Sequence, residues 1–305
     1  MIAAFAAVYL VWGSTYLAIR LSIATIPPFL QASTRFLIAG AIMVAIGRAR
    51  RLAWPTPPQW RTAAIVGVLM LTGGNGGVSW SETRVPSGLA ALIVGAVPLF
   101  TVAIEWLRPG GSRPGRATAL GLLIGFVGVG VLVNPGANDA ARIDPAGAAV
   151  LLAACLSWSL GGIYSRHAPV AAPMMGAGAN MLSGGVGLMV LSVLSGEVFA
   201  FAPAQVTTTS LLALAYLVVF GSLVGFTAYI WLLHHTTPTK ATTYAYVNPV
   251  VAVLLGWALL DEPLTPRVIL AAAIIILAVV MITAGPAVRQ WLKTATPGAE
   301  APPAS

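Results

Sequence analysis

Four polar side chains interrupt an otherwise apolar run: Thr72, Asn75, Ser79 and Glu82, at spacings of 3, 4 and 3. On an α-helix those spacings bring all four to one face. Hydroxyls and an amide in such a row can hydrogen-bond a small molecule, and the carboxyl can exchange a proton. The same face can equally serve helix–helix hydrogen bonding, which contributes only about 0.6 kcal/mol per bond inside a bilayer. Gly73, Gly74, Gly76 and Gly77 surround Asn75, allowing either close packing or bending. A second apolar run carries Arg35, beside Gln31 and Thr34 on one face. A guanidinium there would clamp a carboxylate of a bound molecule, or pair with Glu82 or with helix-end carbonyls. Glu105 and Arg108 are three apart, the spacing of a helical ion pair.

Aromatic side chains supply the apolar counterpart. Trp12, Tyr16, Trp158, Tyr244 and Tyr246 lie within apolar runs. Trp and Tyr usually mark a membrane–water boundary, a role that suits Trp54, Trp60, Trp106, Trp231 and Trp291. Trp12 and Trp158 fall near the middle of their runs, so they are candidates for a central cavity.

The elements that must position these groups follow from composition. The chain has 305 residues, 58% hydrophobic and only 8% charged, with a mean hydropathy of +0.90. A soluble domain carries roughly 25% charged residues, so this chain is built to face lipid. Ten apolar runs can be read, each bounded by Pro, Gly or charge. They cover about residues 2–21, 29–46, 62–80, 87–107, 116–133, 145–164, 173–195, 210–233, 239–260 and 266–284. The first is too long, and lacks the basic start, for a cleaved leader. The Pro-, Ala- and Thr-rich tail, 285–305, is expected to be disordered and cytoplasmic.

The net charge of +8 does not point to nucleic acid. The basic residues sit in short clusters between runs. With the N-terminus inside, eleven fall on the inner side and three (Arg84, Arg142 and Arg267) on the outer side. That bias predicts a multi-pass inner-membrane protein with both termini cytoplasmic. The inner clusters also suit anionic lipid heads.

The two halves of the chain echo each other. Trp12 falls on Trp158 and Arg20 on Arg166, both 146 residues apart. Pro98 falls on Pro249, Trp106 on Trp257 and Arg116 on Arg267, all at 151. Five helices per half force the second half to enter the membrane upside down. The expected fold is therefore an all-α integral membrane protein of ten transmembrane helices in two inverted five-helix repeats, residues 1–140 and 141–284. In such folds the substrate path lies where the halves meet. Pro98 and Pro249 each remove a helical hydrogen bond and are hinge candidates, or fixed bends. Gly121 and Gly125 form a small-xxx-small pair suited to close packing within or between subunits.

Enzyme signatures are absent: no P-loop lysine motif, HExxH or GxSxG, and no aspartate within an apolar run. One Cys, Cys155, and three His give neither a disulfide nor a metal-ligand spacing. No cofactor and no metal are expected.

The segments VWGSTYLAIR (11–20), RF (35–36), GNGGVSWSE (74–82), VPSGLAA (85–91), VPLF (97–100) and TTYAYVNPVVAVLLG (242–256) resemble the EamA family of the drug/metabolite transporter superfamily. They look most like its bacterial inner-membrane permeases. The resemblance runs from about residue 8 to 284. It implies ten helices as two inverted repeats and secondary transport, often export of amino acids and related metabolites. The link from Glu82 to Pro86 is one residue shorter than the family pattern. The resulting expectation is a secondary transporter that exports a small amphipathic metabolite, an amino acid first, by alternating access. Trp12, Tyr16, Asn75, Ser79, Trp158 and Tyr246 would line the cavity, and Arg35 and Glu82 would form an outer gate or charge site. The expected partners are a small-molecule substrate, membrane lipids and protons, without nucleic acid. Nothing in the sequence indicates an oligomer. The alternatives are a nucleotide-sugar or sugar-phosphate carrier, which needs more basic groups in its cavity than Arg35 alone, and a non-transporting membrane scaffold.

Overall fold

A computed structural model describes residues 1–111, 113–133, 143–236 and 244–295. Ten apolar helices make up the fold among the described residues. They are α1 (Ile2–Ser22), α2 (Pro28–Ala49), α3 (Pro57–Ser81), α4 (Ser87–Leu107), α5 (Arg116–Val133), α6 (Pro145–Ser165) and α7 (Pro173–Leu194), then α8 (residues 208–235), α9 (Tyr244–Leu260) and α10 (Pro266–Ala295). Eight are long and apolar enough to cross a bilayer, and α9 and α10 carry shorter apolar stretches. The chain is an all-α, multi-pass membrane protein.

Local chemistry sets the helix starts. Pro opens α2, α3, α6 and α7, where its missing N–H costs nothing and its fixed φ suits the first turn. Thr56 and Gln59 form a capping box on α3, so the helix begins at Pro57 rather than at the apolar run near residue 62. Asp144 accepts from Gly147 N at 2.8 Å to cap α6. The far end departs from expectation: α10 continues to Ala295, whereas disorder was expected from residue 285. Ala, Arg, Gln, Leu and Lys extend a helix readily, so the end of the apolar run is not the end of the helix. Residues 296–305 lie outside the described residues.

Packing is by specific helix pairs. α2 lies along α7, and α5 along α10; α3 packs on α6 and α7, α4 on α6 and α9, and α1 on α8 and α9. The α2–α7 pair meets at glycines. A Cβ on Gly40 would stand 2.9 Å from Leu182 N and 3.0 Å from Gly178 O, so only glycine allows that approach. Gly121 and Gly125 face α10, where a Cβ on either would meet the backbone or side chain of Ala278 at 3.1 Å. Their packing is therefore within the chain. Leu123 and Val127, on the other face of α5, are exposed, as a lipid-facing surface should be.

Two helices depart from α geometry at matched places. Gly67–Asn75 in α3 and Leu217–Val224 in α8 are π-helical, and their starts lie 150 residues apart. A third π-helical turn, Ala7–Val11, occurs in α1. α4 is also interrupted, at Gly95–Ala96 between Ser87–Val94 and Val97–Leu107. Pro98 thus sits in the first turn of a new segment and breaks no helical bond there. Pro249 lies inside the continuous α9, and its ring fills the space beside Gly95, where a Cβ would be 2.9 Å from Cγ.

Candidate functional site

The helices enclose a cavity of about 200 Å³ lined from α1, α2, α3, α4, α6, α8 and α9. A single water needs only about 10–15 Å³ on the same measure, so the space suits a small molecule. α5, α7 and α10 contribute none of the lining residues.

Trp12, Tyr16, Asn75, Trp158, Arg35, Pro98 and Pro249 all line this cavity. They come from six helices, and the folding brings them to one place. Ser79 and Glu82 do not line it. Their spacing from Asn75 is α-helical and Gly76–Ser81 is an α-helix, yet packing buries Ser79 and Glu82 at 2% and 0% exposure away from the cavity. The π-helical stretch, which ends at Asn75, bonds i to i+5 and shifts the register only between Thr72 and Asn75. Thr72 consequently turns to α7 and donates to Gly184 O at 3.0 Å, while Asn75 faces the cavity. Tyr246 belongs to α9, and its side chain lies outside the described residues.

Aromatic rings form one wall. Trp12 stands with ring centroids 5.7 Å from Phe226, 5.3 Å from Tyr229 and 5.0 Å from Tyr244. Its Nε1 donates to Gly221 O, 3.1 Å away in the π-helical part of α8. Trp158 packs its ring edge against Gly74 of α3, where a Cβ would lie 2.9 Å from Cε3. π-Helical turns collect at functional sites because they expose backbone or re-aim side chains. Here both matched stretches reach the cavity, one at Gly74–Asn75 and the other at Gly221.

Arg35 is the one formally charged residue of the lining. It is buried at 6% exposure. Its Nε donates to Ser222 Oγ at 3.0 Å, and the guanidinium lies over the Phe36 ring at 4.7 Å. The pair with Glu82, one of the readings open for Arg35, is not among the described ion pairs. The described ion pairs are Arg84–Asp144 at 3.9 Å and Arg108–Glu105 at 2.8 Å, the second at the spacing read from the sequence. Glu82 sits beyond the cavity at the end of α3, fully buried, and its main-chain carbonyl accepts from Arg20 Nη1. Arg35 thus lines the cavity with no carboxylate partner among the described ion pairs.

Asn248 was missed by the sequence reading. It lines the cavity beside Pro249 and is 8% exposed, with Oδ1 unpartnered among the described residues. The signal was available, since Asn248 is an amide inside an apolar run just as Asn75 is. No group of His, Cys, Asp and Glu among the described residues could hold a metal ion.

A bundle of membrane-crossing helices around a central amphipathic cavity defines a polytopic membrane protein of transporter architecture. The chain belongs to the EamA-like transporter family, whose model matches residues 1–134 and 145–284. It is 39% identical over 280 residues to the uncharacterized inner membrane transporter YedA of Escherichia coli, covering 92% of this chain and 89% of that one. It is 24% identical to the uncharacterized transporter YvbV of Bacillus subtilis, over 90% and 88% of the two chains. It is also 24% identical to protein PecM of Dickeya dadantii, over 89% and 88%. A crystal structure at 22% identity superposes with a TM-score of 0.63, covering 92% of this chain and 95% of the other, which shows a shared fold.

Proposed function

We propose that this protein is a secondary transporter of the inner membrane that exports small metabolites carrying both a carboxylate and an apolar part, amino acids first among them. The observation that carries the reading is Arg35: one buried cation facing a cavity otherwise walled by Trp12, Trp158, Phe226 and Tyr244. A guanidinium binds a carboxylate in two-point geometry, and aromatic rings accept the apolar remainder. A nucleotide or sugar phosphate would need more cations than Arg35 alone.

Alternating access would come from two inverted five-helix halves, residues 1–140 and 141–284. Several observations support this. The family model covers the two halves separately. The packing is matched, with α1 on α8 and α9 as α6 is on α3 and α4. The π-helical stretches of α3 and α8 are matched as well. Both termini would be cytoplasmic by the bias of basic residues. Transport rather than catalysis fits a cavity whose lining holds one cation and no carboxylate.

The test is flux from proteoliposomes loaded with a mixed pool of L-amino acids. Loss of particular amino acids down their gradients, absent from empty liposomes, supports the reading. Retention of the whole pool removes this substrate class and leaves other metabolites or the scaffold reading.

A further inference from the structure

Glu82 is the one buried carboxyl of the described residues with neither oxygen partnered. It is 0% exposed, and Oε1 and Oε2 both lack a hydrogen-bond donor. An ionised carboxylate held so would keep the full cost of leaving water with nothing to offset it. A protonated carboxyl avoids the charge part of that cost and keeps only the smaller cost of a buried polar group.

The groups around it have a specific arrangement. From α1, Arg20 reaches Glu82 but donates to its main-chain carbonyl rather than to the carboxyl, and Tyr16 faces the same region. From the α9–α10 connection, Glu262 presents a like charge. That carboxylate is occupied elsewhere, accepting from Ser87 N at 2.6 Å, Ser87 Oγ at 2.8 Å and Gly88 N at 2.8 Å. Arg84, two residues beyond Glu82, turns to Asp144 at 3.9 Å. One helical turn deeper on the same two helices, Tyr16 (four residues before Arg20) and Val78 (four before Glu82) line the cavity. A side chain that moves at Arg20 or Glu82 therefore moves against the cavity wall.

We infer that Glu82 is a proton-binding site, and that its proton is exchanged for substrate. In the state seen here the carboxyl holds the proton and Arg20 rests on the carbonyl. When the cavity opens to the inner side, the carboxyl releases its proton to a water molecule that enters through the cavity. The Arg20 guanidinium, already within reach, then moves to the carboxylate. The basic-residue bias places this end of α3 on the outer side, so the site loads from outside and one proton enters as one substrate leaves. The coupling step rests on the export reading above; the proton site itself does not.

Two measurements on the full purified chain test it. Infrared difference spectroscopy between neutral and alkaline pH reads carboxyl protonation without any substrate. The expected result is a protonated-carboxyl band in the wild type at neutral pH that is missing in Glu82→Gln. A band unchanged by Glu82→Gln, or no band at all, overturns the proposal. The second uses proteoliposomes, the mixed amino-acid pool and an imposed gradient of one pH unit. One proton per substrate gives about tenfold accumulation, since 1.4 kcal/mol is a factor of ten. Glu82→Gln should lose this accumulation yet keep gradient-free counterflow, and Glu82→Asp should regain part of it. Accumulation by Glu82→Gln at the wild-type level overturns the coupling. Absence of all flux with the infrared result intact sinks the amino-acid reading and leaves the proton site standing.

Discussion

Arg35 of α2 and Ser222 of α8 meet at 3.0 Å, Nε to Oγ, across the line between the two halves of the chain. The contact fixes the guanidinium of a residue that lines the cavity. Arg35→Gln removes the charge, and hydrogen bonds to charged groups contribute about 1.5–3 kcal/mol. Substrate affinity should fall by roughly 10- to 100-fold, read as quenching of tryptophan fluorescence. Ser222→Ala leaves a buried donor without its partner, at a cost of about 1–3 kcal/mol. That variant should lower the thermal unfolding temperature in detergent before it weakens binding. Equal binding by Arg35→Gln and wild type would remove Arg35 from the site.

Trp12 is held twice, by its bond to Gly221 O and by three neighbouring rings. Trp12→Phe keeps most of the ring area and gives up the bond, a loss of about 1 kcal/mol. Trp12→Ala also empties the wall and should cost about 3–5 kcal/mol. Gly225 offers an independent check, because a Cβ there would stand 2.3 Å from Trp12 Nε1. Gly225→Ala must displace the indole, so it should reproduce the binding defect of Trp12→Phe while leaving Trp12 in place. Detergent unfolding curves with binding titrations on the three variants give the comparison.

Much of this was readable before the structure, for physical reasons. A membrane helix has to hide its backbone from lipid, so apolar length and Pro or Gly boundaries mark the helices well. Trp12 and Trp158, near the middle of apolar runs, were better candidates for a cavity than for a boundary, and both line the cavity. The face Thr72–Asn75–Ser79–Glu82 broke at Thr72 because the rule of 3.6 residues per turn assumes an α-helix, and at Ser79 and Glu82 because packing buries them away from the cavity. The π-helical stretch of α3 has no signature in its residues, Gly67–Asn75. The Arg35–Glu82 pair failed because charge complementarity says nothing of distance. Glu82 stays at the end of α3, next to Arg20. Asn248 carried the same signal as Asn75, an amide inside an apolar run, and it lines the cavity beside Pro249.

Glycines along α5 should divide by what their missing Cβ would meet. At Gly128 it would be 2.8 Å from Ile274 Cγ2 and 3.2 Å from Ile275 N, whereas at Gly130 it meets nothing within 4 Å. Gly128→Ala must push α10 away, an overpacking cost of about 1–3 kcal/mol. Gly130→Ala gains helix propensity, about 0.8–1.0 kcal/mol in a helix interior. The two variants should therefore shift the unfolding temperature in opposite directions. A shift of the same sign for both would mean that α5 and α10 do not pack as described.

Glu262 ties the second half of the chain to the first. Asp261 takes a positive φ of 53°, a conformation that Asp tolerates better than most residues, and Glu262 N closes the end of α9 on Gly256 O at 3.1 Å. This turn aims the Glu262 carboxylate at the N-terminus of α4, where Ser87 N and Gly88 N have no carbonyl of their own helix to bond. Negative charge is favoured at that position by the helix dipole as well. Glu262→Gln keeps the shape and one acceptor but loses the charge, and should cost about 1–2 kcal/mol, the range for losing a helix cap. Glu262→Ala loses every bond and should cost more. The variants also separate two roles, because Glu262 presents like charge to Glu82. If the charge matters to Glu82, Glu262→Gln should shift the pH at which the Glu82 infrared band disappears downward, since removing a neighbouring negative charge eases ionisation. If Glu262 is only a cap, that pH should stay put while the unfolding temperature falls.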